Sequence, residues 1–317
     1  MASANRGEHR EERGTGTGTR VPGAPEFTGP RVADFLRAPY RQVEVTGGAL
    51  RYRRSGHGPP LVFLHGPLVN GNLWRKVVPL LTDRFDCVVL DLPFGSHTLP
   101  MSPGARLDPP AMARLVAEAV ETLGLAPARL VGNDTGGALA QLLMAHRPEV
   151  VHDVVLTSCD TYENFLPPVF RTLPLLAKTP GGMAVLAQLL RSGGLRRLPF
   201  AYGLLTRRPI EAAALTSYVT PMRRDAAVRH DLAKALRDLD ARHTLGAVEG
   251  LRRFPRRVLL AWGEYDRVFP LRHAYRLHRD LPDSELVTLP DAGAFVPEDS
   301  PVQLAELIHD FFPPGSR

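Results

Sequence analysis

Eight short runs of β-branched and apolar residues punctuate the chain from residue 40 onward: "RQVEVT", "ALRYRR", "PLVFLHG", "CVVLDLP", "ARLVGND", "DVVLTSC", "RRVLLAWGE" and "SELVTLP". From the third run on, segments with helical periodicity follow most of them, at residues 72–82, 110–124, 136–147, 270–281 and 301–312. Continuous apolar strands alternating with helices predict an α/β fold: a mostly parallel eight-stranded sheet flanked by helices on both faces. The first two runs have no helix between them and predict an antiparallel hairpin. Between residues 161 and 247 the rhythm breaks into proline-punctuated helical sequence such as "NFLPPVFRTLPLLAKTPGGMAVLAQLL". An inserted helical cap over the carboxyl ends of the strands explains that break. The α/β core then comprises residues 39–160 and 248–317, and residues 1–38, polar and glycine-rich ("RGTGTGTR"), read as a disordered N-terminal tail.

Composition narrows the function classes. With 317 residues and 44% hydrophobic content, the chain can bury one good-sized core and a smaller accessory unit. The net charge is +6, and residues 161–247 alone hold 13 Lys+Arg against 6 Asp+Glu. That surplus reads either as a solvated basic face or as an attraction for an anionic substrate. No basic motif interleaved with aromatics points to nucleic acid. No apolar run has the length of a membrane helix, and the N-terminus lacks a secretory h-region, so the expectation is a cytoplasmic protein acting on a small-molecule substrate. Cys87 and Cys159 both fall in strand-like runs, where cysteine acts as a small hydrophobe. There is no dinucleotide fingerprint, P-loop lysine or cluster of metal ligands, so neither cofactor nor metal is expected.

The strongest chemical signal is "LVGNDTGGALAQLL", residues 130–143. A strand that ends in Gly132-Asn133-Asp134-Thr135-Gly136-Gly137 and runs straight into a helix fits a nucleophile elbow, whose tight turn exposes the central side chain. Asp134 occupies that centre. The helix N-terminus beyond it favours negative charge, so the expectation is an ionised carboxylate.

At these residues the chain resembles the α/β-hydrolase fold family, and within it the aspartate-nucleophile branch of epoxide hydrolases and haloalkane dehalogenases. The resemblance spans residues 45–312. It implies that His65-Gly66 precedes a loop supplying one oxyanion-hole N–H and that Thr135 supplies the other. It also implies that Asp266, in "AWGEYDRVFP", is the acid behind a catalytic histidine, with Asp160 after the sixth strand as an alternative acid.

The departures from the family pattern carry as much weight. In "LPDAGAFVPEDSP", residues 289–301, the family's histidine position holds Ala294. Without that base, turnover of a covalent ester on Asp134 should stall; loss of such a residue can cost on the order of a million-fold, about 8 kcal/mol. Pro67 lacks the N–H of the usual oxyanion donor, which leaves Leu68 to replace it. Pro67 and Thr135 stand where dehalogenases place an amide and a tryptophan, which disfavours dehalogenation. Tyr162, Tyr202 and Tyr218 in the cap are candidates to hydrogen-bond an epoxide oxygen. His97, on the loop after the fourth strand, is the candidate replacement base. The leading expectation is therefore hydrolysis of an epoxide or ester-like bond through Asp134 with a non-standard base. Two alternatives stand beside it: a lyase, isomerase or cyclase in which Asp134 is itself the general base, and a ligand-binding protein without turnover.

Overall fold

A computed structural model describes residues 30–313. Its centre is one eight-stranded sheet formed by β1 (Arg41–Val45), β2 (Gly48–Gly56), β3 (Pro60–Leu64), β4 (Asp86–Asp91), β5 (Ala128–Asp134), β6 (Val151–Cys159), β7 (Val258–Gly263) and β8 (Ser284–Leu289). The strand order is β1-β2-β4-β3-β5-β6-β7-β8. β1 pairs antiparallel with β2, and β2 with β4. Every pairing from β4 to β8 is parallel. The antiparallel hairpin and the parallel body thus stand as the runs predict. β4 and β7 are buried along their whole length, as strands covered on both faces must be.

The helices are α1 (Pro30–Arg37), α2 (Pro109–Thr122), α3 (Thr135–His146), α4 (Thr172–Lys178), α5 (Gly182–Leu189), α6 (Gly193–Arg196), α7 (Ala212–Arg224), α8 (Ala226–Arg237), α9 (Ala241–Leu251), α10 (Leu271–Asp280), α11 (Val296–Asp299) and α12 (Pro301–Phe311). α3 is apolar on every side, and its residues from Thr135 to Met144 are all buried, as expected of a helix lodged between a sheet and a second helix layer. The chain from Cys159 to Val258 carries helices α4–α9 and no strand. None of the described helices is long and apolar enough to cross a membrane.

Two expectations need correction. Residues 72–82 do not form an α-helix but two short 3₁₀ turns, Gly71–Trp74 and Val78–Leu80. Pro79 has no N–H to continue a ladder, and Asn70 caps the first turn by accepting from the Asn72 N–H at 3.1 Å. The supposed tail is also ordered from residue 30: in "PRVADFLR", Val32 and Phe35 share one helical face and are buried. The rest of that tail, residues 1–29, and residues 314–317 lie outside the described residues.

Candidate active site

The sequence around Asp134 folds as an elbow because two chains must cross at contact distance. A Cβ on Gly136 would lie 2.4 Å from the Leu64 carbonyl oxygen, and one on Gly132 would lie 2.7 Å from Gly137 Cα. Only glycine permits that approach. Asp134 takes up the strain, with φ 57° and ψ −135°, a conformation that costs a non-glycine residue on the order of 1–3 kcal/mol.

The elbow presents Asp134 to a cavity of about 210 Å³. Its walls come from Pro67 and Leu68 after β3, from leucines of α4 and α5 such as Leu173, Leu176, Leu186 and Leu189, from Tyr202 and Leu205, and from Leu236 of α8. Asp134 is the one carboxylate among the described residues that line it, and they include no histidine, lysine or arginine. The basic surplus of residues 161–247 therefore does not face this cavity, and the expected pull on an anionic substrate has no support there.

Two further acids stand close to Asp134. Thr135 Oγ lies 2.6 Å from Asp160 Oδ2 and 3.4 Å from Asp134 Oδ1. Asp160 is fully buried, and its Oδ1 has no hydrogen-bond partner. Asp266, after β7, accepts the N–H groups of Val268 and Phe269, each at 2.8 Å, through Oδ1, with the Ser158 side chain also at its carboxyl. Burial pushes the Asp134 carboxyl up to about 7, against the hydrogen bonds from Thr135 and with the help of the Asp266 charge. Burial likewise raises Asp266 to about 7. Asp160 is raised well above the carboxylate range by burial and then by the Asp134 charge. Against the expectation of an ionised Asp134, desolvation outweighs the helix N-terminus and raises the carboxyl toward neutrality.

Of the two expected oxyanion donors, Thr135 points its N–H at the Asp134 carboxyl, where the oxyanion of an Asp134 ester would form, and Leu68 has its N–H engaged elsewhere. The Thr135 N–H donates to Asp134 Oδ1 at 2.8 Å, and the Leu68 N–H donates to the Phe94 carbonyl at 2.9 Å. Pro67 has none to give. His65 also has a structural role, donating from Nδ1 to the Gly66 carbonyl at 2.8 Å and accepting the Leu92 N–H on Nε2 at 2.9 Å. Burial lowers its pKa to about 4, so it is neutral at physiological pH. Gly66 is where the Asp134 carboxyl leans on the neighbouring loop: a Cβ there would lie 2.3 Å from Asp134 Oδ2.

His97 is not the replacement base. It is buried away from the cavity lining. Its Nδ1 accepts the Gly95 N–H at 3.2 Å, which leaves the proton on Nε2, 3.2 Å from Asp231 Oδ2. Both nitrogens are thereby occupied in holding the loop after β4 to α8. Of the tyrosines, Tyr162 donates to Asp280 at 2.8 Å and Tyr218 lies 3.5 Å from Glu298; neither lines the cavity. Tyr202 does line it, with its hydroxyl donated to the Leu68 carbonyl at 2.6 Å.

The loop that carries Ala294 packs against both strand ends that bear acids. Asn133, beside Asp134, donates to the Ala294 carbonyl at 2.9 Å, and Tyr265, beside Asp266, donates its N–H to the Ala292 carbonyl at 3.0 Å. Ala294 itself is fully buried.

With this geometry in view, the family model described as alpha/beta hydrolase fold matches residues 59–301. The chain belongs to the α/β hydrolase fold family. Among its relatives in that fold, an uncharacterized hydrolase, YugF of Bacillus subtilis, is 30% identical over 282 residues, covering 86% of this chain and 98% of its own. Haloalkane dehalogenase 2 of Mycobacterium tuberculosis is 29% identical over 281 residues, covering 86% and 94%. Among solved structures, an α/β hydrolase fold protein from Burkholderia ambifaria superposes with a TM-score of 0.72 at 22% identity, covering 85% of this chain and 97% of its own, a likeness of fold alone.

Reasoning from sequence missed the part Thr135 plays. Its hydroxyl stands between two acids, and nothing in "NDTGG" signals that, because Asp160 arrives from the next strand. The leucine lining left a trace: α4 and α5 carry leucines on more faces than one packing surface needs.

Proposed function

We propose that this α/β hydrolase fold protein is an enzyme that moves protons on a small apolar molecule, with Asp134 as the general acid–base and residues 161–247 as the cap that excludes water. The observation that carries this reading is a lone carboxyl, pushed up to about 7, facing a leucine-lined cavity. A general base works best when its pKa lies near the ambient pH, whereas turnover of an ester on Asp134 needs a second base to activate water, and no imidazole among the described residues lines the cavity. A cavity of about 210 Å³ is below the roughly 300–1,000 Å³ of drug-sized sites, so the fitting substrate is small. The lyase, isomerase or cyclase classes meet these conditions without a histidine.

A second reading is hydrolysis of an epoxide or ester-like bond with Asp134 as nucleophile and Ala294 in place of the family's histidine. The strained elbow at Asp134 and the haloalkane dehalogenase among the relatives favour it. One paired experiment separates the two. With 5-nitrobenzisoxazole, whose ring opens once a base removes its C–H proton, the acid–base reading expects turnover above that of free acetate, with a pH inflection near 7. With 1,2-epoxyhexane, it expects no lasting covalent adduct by intact-protein mass spectrometry. An adduct that disappears in Asp134→Asn, without base-promoted ring opening, would transfer the conclusion to the nucleophilic reading. Neither chemistry, with a raised melting temperature in the presence of either compound, would leave a binding protein.

A further inference from the structure

We propose that Asp134, the Thr135 hydroxyl and Asp160 form a proton relay in which the two carboxyls share one proton, so that Asp160 restores the protonation state of Asp134 in place of a histidine. This deepens the acid–base reading above and rests on it. Three placements support it. Thr135 Oγ is within 2.6 Å of Asp160 Oδ2 and 3.4 Å of Asp134 Oδ1, so one hydroxyl reaches both acids, and the longer leg is the one that closes during transfer. Asp160 is fully buried with Oδ1 unpartnered, so its carboxylate form is a strong base with no solvent to quench it. Gln141 fixes its backbone, donating to the Asp160 carbonyl at 2.8 Å while accepting from the Thr161 hydroxyl at 2.8 Å.

The transfer balances. At the start the shared proton rests on Asp160 and Asp134 is the anion. A substrate X–H bond breaks as Oδ2–H forms on Asp134, and the electron pair of that bond stays on the substrate. For the return, Asp160 Oδ2–H breaks as a new O–H forms on Thr135, the original Thr135 O–H breaks as Oδ1–H forms on Asp134, and Asp134 Oδ2–H breaks as its proton passes to another substrate atom, as an isomerisation requires. Thr135 keeps one proton throughout, the negative charge passes from Asp134 to the substrate and then to Asp160, and a second pass through Thr135 returns the proton from Asp134 to Asp160. The other ionisable groups around Asp134 are Asp266 after β7 and Cys159 at the end of β6, with neutral His65 on the loop below.

The test is the pH profile of 5-nitrobenzisoxazole opening by the full-length protein. Asp160→Asn removes the proton that the relay returns, so the rate should fall at least tenfold. Thr135→Val, of nearly equal volume, should lose rate similarly with its inflection moved up, since Asp134 loses a donor, and Thr135→Ser should restore both. A purely structural role would lower the rate without moving the inflection. In the native protein, an infrared band of one protonated carboxyl should persist at about pH 8, a readout that needs no variant to fold. Wild-type rate and inflection in Thr135→Val and Asp160→Asn, or no such band, would overturn the relay. If those variants behave as wild type while Asp134→Asn is inert, only the relay falls; if Asp134→Asn retains full activity, the acid–base reading falls with it.

Discussion

Asp134→Asn should abolish base-promoted opening of 5-nitrobenzisoxazole, by at least about 100-fold, the lower range for a positioned general base, and should at the same time make the protein more stable above neutral pH. The first effect follows because no other carboxylate or imidazole among the described residues lines the cavity. The second follows from linkage. The Asp134 carboxyl is raised from 3.8 to about 7 in the folded protein. The fold therefore favours its neutral form, so the stability it contributes is fully present below about pH 4 and is lost as pH rises to about 7. Asparagine never ionises and escapes that loss. Melting curves of the two proteins should coincide at about pH 4 and separate by pH 8, with the variant melting higher. A residue whose removal stabilises the fold and silences the chemistry is one retained for function. Coincident curves at pH 8, or a variant that still opens the ring, would count against the site.

The largest loss of stability is expected from Arg75→Met. Arg75 and Glu298 are each only 2% exposed and form a two-pronged pair, its second leg 3.0 Å, that ties the 3₁₀ turn after β3 to α11. The same guanidinium donates to the Asn72 carbonyl at 3.1 Å. Tyr218 of α7 lies 3.5 Å from Glu298, so the helical segment over the cavity is anchored to the same carboxylate. Removing the arginine leaves Glu298 buried with Lys76, 3.0 Å away, as its remaining cation. Breaking one side of such a pair costs about 3–5 kcal/mol, and Lys76 holds the value near the lower end. Chemical denaturation should show that loss, and the double variant Arg75→Met/Glu298→Leu should recover much of it, because the uncompensated charge is then gone. A change under about 1 kcal/mol in the single variant would show that the pair does not hold this wall.

What the sequence made legible was periodic or local. The strand–helix alternation defines the sheet because each run's neighbours are decided by short connections and right-handed crossovers. The elbow was legible because glycines flank Asp134 within five residues. Asp266 could be placed at the end of a strand, but Ser158, which reaches its carboxyl, comes from β6, more than a hundred positions earlier. His97 was misread because its loop was judged by its departure from a family pattern, while its partner Asp231 lies 134 residues away in α8. The engaged N–H group of Leu68 was equally out of reach. Whether a backbone donor is free depends on which carbonyl tertiary folding brings to it, and Phe94 fills that place for Leu68. The charge state of Asp134 was misjudged for a related reason: a helix N-terminus is visible in sequence, but the desolvation that outweighs it arises only when helices α4, α5 and α8 close over the elbow.

The central claim, that Asp134 is a proton-exchanging acid and not a standing nucleophile, is tested most directly by titrating its carboxyl. Carbon-13 NMR of protein labelled at the aspartate carboxyl carbons, with the resonance assigned by its absence in Asp134→Asn, reads that titration in the native fold. The account predicts a midpoint of about 7. A midpoint near the ordinary 3.8 would mean a carboxylate ionised throughout the physiological range and would contradict it.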